Sequence, residues 1–267
     1  MPLGAPDDGR RVPPQRAPAV RRLELEAALR ERDRRKRRRA GLAAAATALL
    51  VIGGGAAAIG GGANHTSQAA AVSRSELAPL ASLGKLSPAG TLGAFGPEAV
   101  PVPDGPPLAN GGPSSASSTM DGIRCQGAEQ VLFHIHAHLT VFFNGAPRRI
   151  PYGIGIPSAQ VTPTPAGPYV AAGSCFYWLH THAADGIIHI ESPVQRTYTL
   201  GNFFDVWGQR LSSKDVGPVA GRVIALYDGQ VFRGNPRDIP LTMHAQIQLE
   251  VGRPLVAPVR ISFPAGL

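Results

Sequence analysis

Polar and apolar positions alternate along Val131–Phe143. His134, His136 and His138 fall on one side, and Ile135, Ala137, Leu139 and Val141 on the other. A period of two predicts a β-strand. Asn144-Gly145 follows at once, a strong hairpin signal, with Arg148–Ile150 returning. A second candidate hairpin joins Cys175–His182 to Ile187–Glu191, and a Pro- and Gly-rich loop, Pro151–Gly173, separates the two. The period then changes. Leu200, Phe203, Phe204 and Trp207 recur at i, i+3, i+4 and i+7, with Thr199 as N-cap and Gly208 as stop. This predicts a short helix whose aromatic stripe packs into a core. Val223–Tyr227, Gln230–Phe232 and Thr242–Val251 read as the closing strands. The class is α+β and β-rich: antiparallel sheets with one short helix, in a domain of residues 119–267.

Composition divides the rest of the chain. Thirteen of the 26 Lys+Arg and six of the 18 Asp+Glu lie in residues 1–40, a local net charge of 13 − 6 = +7; the remaining residues carry 13 against 12. The high net charge thus belongs to a basic tail, residues 1–39, expected to be cytoplasmic. Nucleic-acid binding would need its basic patch on the fold itself and is not expected. Residues 40–63 are uncharged, with an apolar heart at Leu42–Ile59. That length suits one transmembrane helix. The basic run Arg34–Arg39 before it sets the N-terminus inside and the rest outside, a single-pass protein of the cell membrane. A cleaved signal peptide is the alternative, with small residues at Ala56–Ala58 or Ala69–Ala71, and the long charged N-terminal region favours the uncleaved anchor. Residues 64–118 are dominated by Ala, Pro, Gly and Ser and read as a tether, though Leu80–Phe95 carries enough apolar residues to dock on the domain.

Both cysteines, Cys125 and Cys175, fall in the exported part. Such a pair is usually a disulfide outside the cytoplasm. Its bonding would leave no thiolate for a metal.

Six of the eight histidines lie in the two alternating stretches: His134, His136 and His138, then His180, His182 and His189. A two-residue turn at Asp185-Gly186 would set His182 opposite His189 and His180 opposite Glu191, all on one face. A three-residue loop would break that alignment. Neutral imidazoles with a carboxylate suit Zn²⁺, Cu²⁺, Ni²⁺ or Fe²⁺, with Zn or Cu favoured. The expected ligands are His134, His136, His138, His180, His182, His189 and Glu191. They exceed one tetrahedral site, and fit either one ion with spare histidines around it or two neighbouring ions. His244, on Thr242–Val251, shares a strand face with Gln246 and Gln248; joining the cluster and a solvated strand face explain it equally well. Asp185 reads as turn chemistry, and His65 lies in the tether.

The stretches His134-Ile-His-Ala-His-Leu139, Leu179-His-Thr-His-Ala-Ala-Asp-Gly-Ile-Ile-His-Ile-Glu191 and Thr199–Trp207 resemble an uncharacterised family of exported, membrane-tethered bacterial and archaeal proteins, over most of residues 121–252. The resemblance implies export and a tether but no activity. Tyr227-Asp-Gly-Gln230, Ile239-Pro-Leu241 and Ile247-Gln-Leu249 are similar to the last strands of β-grasp sulfur-carrier proteins. Those end in Gly-Gly and this chain in Ala-Gly-Leu, so the likeness implies a β-grasp-like C-terminal half and no sulfur transfer. An H-x-H pair with a third histidine on a neighbouring strand is also similar to the zinc set of α-type carbonic anhydrases.

Three readings follow. The first is a tethered extracytoplasmic protein that binds a transition metal. The second is a zinc metalloenzyme of hydrolase or hydratase type with Glu191 as general base. The third is a metal-free interaction module whose histidines sense pH.

Overall fold

The computed structural model describes residues 72–111 and 119–267. The basic tail, the expected anchor at 40–63 and His65 lie outside the described residues. Among those described, no helix is long and apolar enough to cross a membrane.

The fold is built on a mixed sheet of eight strands. In chain order they are β1 (Leu77–Ala78), β3 (Phe133–Phe143), β4 (Ala146–Arg148), β8 (Leu179–His180), β9 (Ile187–Ser192), β12 (Val223–Tyr227), β13 (Gln230–Phe232) and β14 (Gln246–Val251). Strands β2 (Cys125–Gln126) and β7 (Phe176–Tyr177), β5 (Gln160–Thr164) and β6 (Gly167–Ala172), and β10 (Asp215–Val216) and β11 (Val219–Ala220) form small separate pairs. Across the main sheet the order is β1-β13-β12-β14-β3-β9-β8, with β4 also paired to β3. One pairing corrects the all-antiparallel expectation. β3 and β14 run parallel, Gln246 beside His138 and Val251 beside Phe143. The rest of the domain intervenes between these two strands, so no short turn constrains their direction.

Local chemistry accounts for the elements that alternation predicted. Asn144 and Gly145 both take positive φ (50° and 76°), as a two-residue hairpin of right-handed twist requires, and they join β3 to β4. The helix α1 (Leu200–Trp207) starts on a reciprocal cap between Thr199 and Asn202 and stops at Gly208 in the left-handed conformation. Its Phe203, Phe204 and Trp207 pack with Ile135, Ala137, Leu139 and Val141 of β3 in the main core. Each such aromatic side chain contributes roughly 1.5–3 kcal/mol by leaving water. The helix therefore covers the apolar face of β3, and the histidines occupy the other.

That second face is not solvated. Burial along β3 is continuous from Ile135 to Phe143. Two irregular segments cover it. The C-terminal stretch brings Val256 and Val259 against Phe142, and Ile261 against Ile187. The other cover is residues 72–111, expected to be part of a free tether but packed as a strap. β1 adds to the sheet at β13, Ser87 bridges to Val256, Val100 is fully buried beside Ile187, and Asn110 accepts the indole N–H of Trp207 (2.8 Å). Glycine serves close approach here: a methyl group at Gly105 would run into the Pro147 carbonyl. The Pro151–Gly173 loop also holds structure that its composition concealed, the β5–β6 hairpin.

Candidate metal centre

The cluster arises from strand register. Within β3 and β9, His134 pairs with Glu191, His136 with His189, and His138 with Ile187. On the far side of β9, His180 of β8 also pairs with His189. His136, His189 and His180 thus sit side by side across three adjacent strands, and Glu191 lies two residues along on the same face. The Asp185-Gly186 turn is not a two-residue hairpin. Thr181–Gly186 forms a longer excursion, and His180 faces His189 where Glu191 was expected. The shift is by two residues, which preserves the face.

His182 consequently lies off the strand, yet it is fixed. Thr181 is tied to the Pro151–Ile154 segment through its amide, carbonyl and hydroxyl. Val170 of β6 exchanges bonds with His182: its amide donates to the His182 carbonyl (3.0 Å), and its carbonyl accepts from His182 Nδ1 (2.5 Å). Tyr169 stacks on the ring, centroids 5.3 Å apart. The segment preceding β7 is held by the Cys125–Cys175 disulfide, which the cysteine pair had suggested.

The donors approach closely. His134 Nε2 is 3.1 Å from His136 Nε2, His136 Nε2 is 3.1 Å from His189 Nδ1, and His180 Nε2 is 3.1 Å from His182 Nε2. Glu191 Oε1 lies 3.1 Å from His134 Nε2 and 3.7 Å from His189 Nδ1. Donors placed tetrahedrally at 2.0–2.1 Å from a Zn²⁺ ion are about 3.3 Å apart, so each of these pairs is spaced as two ligands of a common ion are. Two sets emerge, His134/His136/His189/Glu191 and His180/His182/His189/Glu191, each with all ligand atoms within 4.8 Å of one another.

Hydrogen bonding fixes which nitrogens carry lone pairs. His180 Nδ1 donates to the Tyr177 carbonyl (2.8 Å), as His182 Nδ1 does to Val170. In the neutral rings both Nε2 atoms are then acceptors, yet they face each other at 3.1 Å. Glu129 Oε1, a third acceptor, is 3.5 Å from His182 Nε2. Burial, reinforced by the charge on His189, holds both rings below the usual histidine range, so protonation is resisted. Acceptors converging with no proton between them leave room for a cation.

The remaining groups complete the electrostatics. Burial, with His189 and His134 adding, pushes His136 down to about 3. For His189 burial acts in the same direction but is outweighed by the Glu191 and Glu98 carboxylates, which raise it to about 9. Glu191, despite its burial, is held well below the carboxylate range by His134 and His189. A carboxyl so held stays ionised and is available as a ligand. His189 Nε2 donates to Glu98 Oε1 at 2.7 Å, leaving Nδ1 toward the cluster in the carboxylate–histidine arrangement that supports metal ligands.

One expected ligand, His138, stands apart from this group, as does His244, for which a solvated face had been an equal reading. His138 shares the face, but its Nε2 is on the Asp185 carbonyl (3.0 Å), it belongs to neither donor set, and burial takes it down to about 4. His244 is exposed and contacts the Leu267 carbonyl. Conversely, alternation could not reveal Glu98, in a strap of tether-like composition, or Glu129, in an irregular segment before β3. A cleft of about 590 Å³ opens onto the cluster, lined among others by His134, His136, His182, Glu129 and Tyr169. No family model, curated protein or solved structure matches the chain.

Proposed function

We propose that this protein is a membrane-tethered, extracytoplasmic binder of a transition metal, Zn or Cu, held by the histidine cluster. The observation that carries the reading is the pair of acceptor nitrogens, His180 Nε2 and His182 Nε2, facing each other at 3.1 Å with their other nitrogens committed to carbonyls. The imidazole and carboxylate donors favour a borderline ion over Ca²⁺ or Mg²⁺. Both cysteines are bonded, so no thiolate competes. The tether, with its N-terminus cytoplasmic, rests on the uncharged stretch 40–63 behind the basic run Arg34–Arg39, and on the family resemblance. A β-grasp-like arrangement is part of the proposal, supported by the parallel β3–β14 pair at the sheet centre and by α1 between β9 and β12.

The test is elemental analysis of the full chain, untagged and purified in detergent from membranes without chelator. At least one equivalent of a single transition metal is expected. No metal, even after incubation with Zn²⁺ and Cu²⁺, would leave the metal-free pH-sensing reading. Fractionation of expressing cells tests the tether, which predicts the chain in the membrane pellet.

A metalloenzyme is the second reading, favoured by the cleft over the cluster. Glu129, an exposed residue at its wall, is raised by partial desolvation and by Glu191. It is better suited than Glu191 to accept a proton from a molecule in the cleft.

A further inference from the structure

We propose, building on the metal-binding reading, that the centre is dinuclear: two ions joined by the Glu191 carboxylate. The first ion takes His134 Nε2, His136 Nε2, His189 Nδ1 and Glu191 Oε1. The second takes His180 Nε2, His182 Nε2 and Glu191 Oε2.

Donor geometry supplies the first argument. Two atoms bound to one ion at 2.0–2.1 Å cannot lie more than about 4.2 Å apart. The cluster resolves into two donor sets, and the His134/His136 pair and the His180/His182 pair do not merge into one. A single ion held by the first set would therefore leave the acceptor nitrogens of His180 and His182 in contact at 3.1 Å with nothing between them, and one held by the second set would leave His134, His136 and Glu191 assembled beside it without an ion.

His189 and Glu191 are common to both sets, and only one of them is free to bridge. The second nitrogen of His189 is already committed, donating to Glu98 at 2.7 Å. Glu191 differs. Its Oε1 meets His134 and His189, while its Oε2 is buried with no hydrogen-bond partner. A buried carboxylate oxygen without a partner is costly unless a cation meets it. Charge agrees as well: Glu98 and Glu191 are buried in the cluster and Glu129 stands at its mouth, so two divalent ions are largely balanced.

The experiment uses the full chain in detergent, stripped with chelator and reloaded with Zn²⁺ or Cu²⁺. Two equivalents of Zn²⁺ are expected. The double substitutions His180→Ala/His182→Ala and His134→Ala/His136→Ala should each retain one, with circular dichroism verifying the fold. The wild-type protein loaded with Cu²⁺ needs no variant. Carboxylate-bridged ions lie about 3.5–4 Å apart, so its electron paramagnetic resonance should show a half-field transition, and Glu191→Gln should abolish it. One equivalent with an isolated-Cu²⁺ spectrum would overturn the dinuclear centre and leave the metal-binding reading standing. Zero equivalents would overturn both.

Discussion

His189 and Glu98 meet at 2.7 Å although 91 positions separate them in the chain. The histidine lies on β9, one strand in from the sheet edge, and the glutamate comes from the strap that covers it. The contact fixes the ring so that Nδ1 faces His136 and Glu191, and it ties closure of the strap to the electrostatics of the cluster.

The first expectation concerns that contact. Glu98→Gln should weaken metal affinity by roughly 10–100-fold without abolishing binding, the usual effect of removing a carboxylate behind a histidine ligand. Competition against a chromophoric chelator measures it. An unchanged affinity would show that Glu98 supports the strap and not the metal.

His138 provides a contrast. His138→Ala should leave the metal equivalents unchanged and cost about 1–3 kcal/mol of stability, because the Asp185 carbonyl loses its buried partner. Denaturant titration and elemental analysis of the same preparation separate the two effects. Loss of metal would bring His138 into the ligand set.

Asp185 makes stability depend on pH. Burial, then the Glu98 charge, raises this carboxyl to about 8 from its ordinary 3.8, and its Oδ2 has no partner. The native state therefore keeps a proton that the unfolded chain releases. Stability contributed by the protonated form is complete below about pH 4 and is lost as pH rises towards 8. Asp185→Asn retains an acceptor for the Ile187 amide and removes the ionisation. In the metal-free protein it should raise the melting temperature by roughly 5 °C or more at pH 8, and by clearly less at pH 5. Equal shifts at both values would refute the assignment.

The disulfide closes a loop of 50 residues between the segment carrying Glu129 and the one leading into His180 and His182. Replacing both cysteines by serine should cost about 2–4 kcal/mol. Because β2 and β7 also pair at this bridge, the His180/His182 side should lose metal before the His134/His136 side. Stepwise release under a chelator, followed in the serine variant and the parent, measures that order.

Much of this was legible from the chain alone. Alternation placed His134, His136, His180 and His189 on strands and assigned them one face, because side-chain direction in a strand is dictated by backbone geometry. Asn144-Gly145 and the Thr199–Gly208 caps are local devices, and local devices are written in consecutive residues. The disulfide was suggested by there being just two cysteines, both in the part expected to be exported.

Only the tertiary structure decided the rest. The Thr181–Gly186 excursion is held by bonds to Pro151–Ile154 and Val170, so no turn rule could anticipate the register that sets His180 beside His189. The strap was hidden because Gly and Pro carry the same composition in a free tether and in a segment pressed against a sheet, as Gly105 is against Pro147. Glu98 and Glu129 have no periodic neighbours to mark them. His138 was separated from its companions by one carbonyl, that of Asp185. Periodicity tells which way a side chain points; what it meets there depends on segments distant in the chain, whose approach is set by packing.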